Sequence, residues 1–130
     1  MTLAVEVVSP ERVQYSGEAR VVICRTTDGE IAFLTDHAPL IGALGIGEVR
    51  IGQESGEDEV AAVHGGFVEV RNNKVTILSD VAELKAQIDV GRATEAKSRA
   101  ASAVQADGND EDARAALRRA EVRLQVAGSA

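Results

Sequence analysis

The sequence predicts a mainly β protein with a smaller α part. An N-terminal antiparallel β-sandwich over residues 1–85 is followed by a C-terminal antiparallel two-helix hairpin over residues 86–130. Three observations carry this reading. Short runs rich in β-branched residues, bounded by turn formers, fill about the first eighty residues. No helical pattern separates those runs, which favours an antiparallel sandwich or barrel over alternating βα units. Past about residue 85 the chain becomes rich in alanine at helical spacing, and proline disappears.

The strands can be taken in order. Leu3, Val5 and Val7 alternate with Ala4, Glu6 and Val8, and Ser9-Pro10 stops the run. Further runs cover residues 19–26, 30–34, 48–52, 59–64, 67–71 and 74–79. Asp28-Gly29 and Asn72-Asn73 supply residues that tolerate positive φ, and His64-Gly65-Gly66 permits a sharp bend. The stretch Gly42 to Gly47 is rich in glycine. It lacks the Lys-Ser/Thr of a phosphate-binding loop and reads as a turn.

Asp89 can cap a helix from Val90 to about Ala106, with Ile88 packing just before the cap. Asp107-Gly108-Asn109-Asp110 makes a compact turn, and Asn109 or Asp110 can cap a second helix to about Val126. So short a link makes the two helices antiparallel neighbours. In the second helix, Ala113, Ala116, Leu117, Ala120, Leu124 and Ala127 form one apolar stripe, facing Ala93, Ala96, Ala100, Ala103 and Val104 of the first. The pairs Arg114/Arg118 and Arg119/Arg123 flank that stripe on opposite sides. A seam of alanines removes little apolar area, so the hairpin is expected to be weakly held by its own packing and able to change partners.

Composition narrows the function. The 130 residues are 45% hydrophobic and 27% charged, as in a globular chain, but only 2% aromatic, so Val, Ile, Leu and Ala must build the core. A net charge of −7 argues against nucleic-acid binding. The charge is uneven: from residue 113 onward, four arginines face Glu121 alone, a segment suited to an acidic surface or an anionic ligand. Cys24 has no partner for a disulfide and is expected to pack as a small hydrophobe. No apolar run reaches the roughly 18–20 residues needed to span a bilayer, and no signal-peptide pattern opens the chain, so membrane contact is expected only through a partner. His37 and His64 are expected to be structural, because two histidines and one cysteine offer no metal-ligand spacing and no nucleophile–base pair is evident.

Three motifs carry a family resemblance. Gly29-Glu30-Ile31-Ala32-Phe33-Leu34 with His37-Ala38-Pro39-Leu40, then Gly65-Gly66-Phe67-Val68-Glu69-Val70 with Lys74-Val75-Thr76-Ile77-Leu78, then Ile88-Asp89-Val90-Gly91-Arg92-Ala93, occur in order. Together they resemble the epsilon-subunit family of F-type ATP synthases from about Leu3 to Ala127. Ala32, Thr35-Asp36 and Gly91 depart from the usual pattern.

The resemblance implies a non-catalytic subunit of the rotating central stalk. Its partners would be the gamma subunit, the c-ring and the alpha and beta subunits. It would lie peripherally on the cytoplasmic face of a bacterial cell membrane. No cofactor is required, but in some members the folded hairpin binds a regulatory ATP. The positions that match are Glu83, Ile88, Asp89, Arg92, Arg99, Arg119 and Arg123. Other uses stay open: Asp89 as a cap alone, Arg92 as a partner of Glu95 or Glu83, and Arg119 and Arg123 as a solvated face.

The same resemblance gives Arg114, Arg118, Arg119 and Arg123 a role against an acidic part of the beta subunit when the hairpin extends and inhibits hydrolysis. It places His37, Pro39, Leu40, Ile41 and Leu44 near the c-ring and gamma interface, with some of the apolar residues in the core. The competing reading from another class is a free-standing nucleotide-binding sensor. Co-purification with a gamma subunit separates the two.

Overall fold

A computed structural model describes residues 2–128. Eight strands form one continuous antiparallel-rich sheet: β1 (Leu3–Val8), β2 (Val13–Ala19), β3 (Val21–Thr26), β4 (Gly29–Phe33), β5 (Leu40–Gly52), β6 (Glu59–Arg71), β7 (Lys74–Leu78) and β8 (Ala82–Leu84). Their order is β2-β1-β7-β6-β5-β3-β4, with β8 added to β6. Among the described residues, only β1 and β7 pair in parallel.

The sheet closes into a sandwich because β5 and β6 serve both layers. The first part of β5 pairs with the last part of β6, which also carries β7, and the remainder of β5 pairs with the opening of β6, which carries β8. The crossing point on β6 is Gly65-Gly66, at φ 89° and 110°. A Cβ on Gly66 would collide with the Leu78 carbonyl oxygen, so this bend requires glycine. The main core fills the interior with Leu3, Val5, Val7, Val22, Phe33, Val49, Ile51, Val63, Val68, Val70, Val75 and Ile77.

Several sequence expectations change at this level. The runs at residues 59–64 and 67–71 are one strand bent at the glycine pair, not two. The glycine-rich stretch from Gly42 to Gly47 is strand, not turn, and β5 runs straight through it. Glycine serves there to let neighbours approach: a Cβ on Gly47 would lie 2.9 Å from Cβ of Arg25. β2 escaped the sequence pattern because it lies at the sheet edge, with polar residues interleaved along its length.

After β8 a 3-10 turn at Lys85–Gln87 leads into α1 (Val90–Ala106), and α2 (Glu111–Ala127) returns antiparallel to it. The Asp89 carboxylate accepts from Arg92 N at 3.0 Å, and Asp110, rather than Asn109, accepts from Ala113 N at 3.0 Å. Alanines make the helix–helix seam, with Ala93, Ala100, Ala113 and Ala120 buried.

The stripe read from the sequence is only one of two apolar faces on α2. Val122 and Val126 point the other way and are fully buried against Val60 and Ala62 of β6, with Ile46 and Ile88 completing the cluster. This docking seam is separate from the main core. The arm is therefore fastened to the foot by one small apolar cluster, flanked by polar contacts.

Candidate functional site: the cleft and the seam beneath the hairpin

Strand alternation explains how the sheet meets the arm. Along β6, Ala61 and Val63 enter the main core, whereas Val60 and Ala62 belong to the seam under α2. His64 follows them on the same face. In the register of the sheet, Ala62 pairs with Glu48 on one side and Glu83 on the other, so a carboxylate stands at each flank of the seam. Arginine pairs on the two sides of α2 straddle it.

On the Glu83 flank, Arg123 donates Nε–H to Glu83 Oε1 at 2.6 Å. His64 Nε2 lies 3.3 Å from the same oxygen. A carboxylate only accepts, so His64 carries its proton on Nε2 in that bond. Burial first, then repulsion from Arg123, lowers the His64 pKa from its ordinary 6.5, against the attraction of Glu83, with Arg119 adding to the lowering. The docked surroundings therefore favour the neutral ring.

Beside this contact a cleft of about 250 Å³ opens between α1, α2 and β8. It is lined by Glu83, Gln87, Asp89, Arg92, Glu95, Arg99 and Arg123, with Ala93 and Ala96 beneath. Five of the seven residues named for nucleotide binding thus meet here: Glu83, Asp89, Arg92, Arg99 and Arg123. The other two lie elsewhere. Ile88 packs into the docking seam, and Arg119 lies close enough to His64 to act on its charge, but does not line the cleft. Gln87 was not anticipated, and Glu95 was expected only as an ion-pair partner of Arg92; Gln87 reaches the cleft because its Oε1 accepts from Leu84 N at 2.9 Å, fixing the 3-10 turn. Helical spacing puts Glu95 on the face shared by Arg92 and Arg99.

The polar groups of the cleft are unequally committed. Asp89 caps α1, and Glu83 is engaged by Arg123 and His64. Arg92 and Arg99 lie two helical turns apart, exposed, and form no ion pair among the described residues. Those guanidinium groups can fork onto phosphate oxygens. At about 250 Å³ the enclosed space is below the ~300 Å³ at which ligand pockets usually begin, so it suits the phosphate end of a nucleotide with the remainder at the surface.

On the opposite flank, Arg114 and Arg118 remain exposed beside Ile46, Glu111 and Ala115. Arg118 also borders a second cleft with Arg25, Glu30, Glu48 and Arg50. Gln125 donates to Glu48 Oε2 at 3.2 Å, and Arg50 is tied to Glu48 at 3.0 Å and Asp58 at 3.4 Å.

The residues named for the c-ring and gamma interface divide by strand alternation. Ile41 is 72% exposed and Pro39 is exposed, while Leu40 is half-buried and packs on the core. Leu44 is buried in the main core, so its place in that interface is corrected: β5 alternation turns it inward. His37 donates Nδ1–H to Ala38 O at 2.7 Å and stands edge-on to Phe33 at 4.9 Å. The exposed apolar surface also includes Phe67 and Leu78, each about half exposed, which pair across the sheet in one row with Ala43. Phe67 was legible as an anomaly, because it shares the outer face of β6 with Glu69 and Arg71.

Cys24 lies in the main core, and burial, with Glu30 adding to it, pushes its thiol up to about 11. No cluster of three metal-ligating side chains occurs among the described residues.

A strand-built foot carrying a docked helical hairpin is the architecture described by two family models. Residues 2–85 match the ATP synthase delta/epsilon chain β-sandwich domain, and residues 86–128 match the ATP synthase delta/epsilon chain long α-helix domain. The chain belongs to the ATP synthase delta/epsilon chain family.

Bacterial epsilon chains are among its relatives. It is 45% identical to the ATP synthase epsilon chain of Halalkalibacterium halodurans, covering 98% of each chain, and 44% identical to that of Streptomyces avermitilis, covering 95% of this chain and 94% of the other. The epsilon chain of Brevibacillus brevis is 51% identical over 75% of this chain and 74% of its own. The fold is also shared with a chain of the Euglena gracilis mitochondrial ATP synthase, at a TM-score of 0.70 and 20% identity, over 96% of this chain and 76% of that one.

Proposed function

We propose that the chain is the epsilon-type subunit of the central stalk of an F-type ATP synthase, acting without catalysis of its own, with a hairpin arm whose docking is governed by nucleotide. Family membership over both the sandwich and the helical part supports the stalk role. The partners are the gamma subunit, the c-ring and the alpha and beta subunits. The assembly is peripheral to the bacterial cell membrane, and no helix among the described residues is long and apolar enough to cross one. The outer row Ile41, Ala43, Phe67 and Leu78 supplies the apolar surface on which the gamma subunit seats.

The observation that carries the nucleotide reading is the convergence of Arg92 and Arg99, uncommitted, on a cleft whose walls come from both the arm and β8. A triphosphate held there bridges the hairpin and the foot. By linkage it favours the docked arm only as far as it binds that state more tightly. When nucleotide falls, the arm is freer to leave, and Arg114, Arg118, Arg119 and Arg123 become available to an acidic surface of the beta subunit.

Calorimetric titration of the chain with ATP and ADP tests this. Saturable ATP binding that is lost in Arg92→Ala/Arg99→Ala is expected. Absence of heat at millimolar nucleotide removes the sensor role and leaves the stalk role standing. Recovery of the chain without a gamma subunit from cells that assemble the complex would instead favour a free-standing sensor.

A further inference from the structure

His64 is the one buried histidine, and neither the cleft nor the stalk role uses it. Its side chain is 3% exposed, although it sits on the outer, arm-facing side of β6. Nε2 is committed to Glu83 Oε1, the oxygen that also receives Arg123 Nε. Nδ1 is buried and meets no hydrogen-bond partner among the described residues. We propose that His64 is a proton-operated latch on the arm: neutral, it lies sealed beneath the docked hairpin, and taking up a proton drives the hairpin off the sheet.

The argument rests on which groups leave with the arm. Facing the ring are Glu83 from β8 and Arg119 and Arg123 from α2, while its register partner on β5 is the uncharged Ile46. Glu83, which favours the imidazolium, is joined to β6 through the sheet and stays with the foot. Arg119 and Arg123, which disfavour it, belong to α2, as do Val122 and Val126 of the adjoining seam. Releasing the arm therefore removes two repulsive cations and part of the cover while keeping the carboxylate. Proton affinity at His64 is higher in the released state than in the docked one.

Protonation of the docked ring has a second cost. It would turn the unpartnered Nδ1 into a buried donor with nothing to receive its hydrogen.

The sign follows from linkage. The docked state holds fewer protons, so docking is at full strength above the released-state pKa of His64. It weakens as the pH falls below that value and levels off once the docked ring is itself protonated. The device needs no nucleotide and stands whether or not the cleft binds one.

The test uses the full chain, free of nucleotide, with spin labels at Glu54→Cys in the β5–β6 turn and Asn109→Cys at the hairpin tip. The native thiol, buried and with a pKa of about 11, does not compete for label at neutral pH. Electron-resonance distance distributions between about pH 8 and pH 5 are expected to show the docked fraction giving way to released conformers. The docking constant falls by up to about tenfold for each tenfold difference in His64 proton affinity between the two states. In His64→Gln, which stays neutral and can still donate to Glu83, the docked fraction should not change with pH.

A direct measurement guards against a misfolded variant: the His64 ring is titrated by NMR in the wild-type chain and in Val126→Asp, whose arm is released, with His37 as reference. A higher midpoint in the released variant is expected. Equal midpoints, or a pH response in His64→Gln matching the wild type, would overturn the latch.

Discussion

Val126→Ala examines the claim that the arm and the foot are separately stabilised. Val126 is fully buried, and its neighbours in the seam are Val60, Ala62, Val122, Ile46 and Ile88, none of which except through strand continuity belongs to the main core. The substitution removes two carbons, worth about 0.8 kcal/mol each, and incomplete collapse around the gap brings the loss to roughly 2 kcal/mol. At about 1.4 kcal/mol per factor of ten, the docking equilibrium should fall roughly thirtyfold. The appropriate assay is amide hydrogen exchange rather than global melting. Protection in the second half of α2 should drop by that factor, while amides of Val5 in β1 and Ile77 in β7 keep theirs. Equal loss of protection in α2 and in the β1–β7 pair would refute the reasoning, because it would mean that arm and foot open as one cooperative unit.

Three further outcomes follow from the same geometry. Gly66→Ala places a Cβ against the Leu78 carbonyl at a φ of 110°, so it should destabilise the sandwich by several kcal/mol, on the order of the strain and clash terms together, read as a large fall in melting temperature. Phe67→Ser should leave the melting temperature within a few degrees of wild type, because Phe67 is 56% exposed, yet reduce co-purification with the gamma subunit; unchanged recovery would remove the outer row from that interface. Cys24, with its thiol raised to about 11, should resist alkylation at pH 8 in the folded chain and react promptly once unfolded; rapid modification of the native protein would show that β3 is not sealed in the core.

Much of the architecture is legible in the sequence. Period-two runs located β1, β3, β4 and β7, and the helix bounds followed from local chemistry: Asp89 and Asp110 cap because a short carboxylate reaches the free amides of the first turn. The convergence of Glu83, Asp89, Arg92, Arg99 and Arg123 came from family resemblance, since positions forty residues apart do not announce that they meet. Edge strand β2 and the glycine-bearing part of β5 were missed because their side chains give no alternation strong enough to outweigh the turn-forming residues among them.

Taken alone, the sequence determined the order of the elements, their caps, the alanine seam of the hairpin and the placing of arginines on two sides of α2. These are local consequences of backbone geometry and side-chain period. The tertiary structure decided that α2 has a second apolar face, that Leu44 turns inward while Phe67 turns outward, and that His64 shares one carboxylate oxygen with Arg123. Each of those depends on which surface another element covers. That is set by the closing of the sheet and the docking of the arm, where contacts join residues far apart in the chain and no short-range pattern encodes the partner.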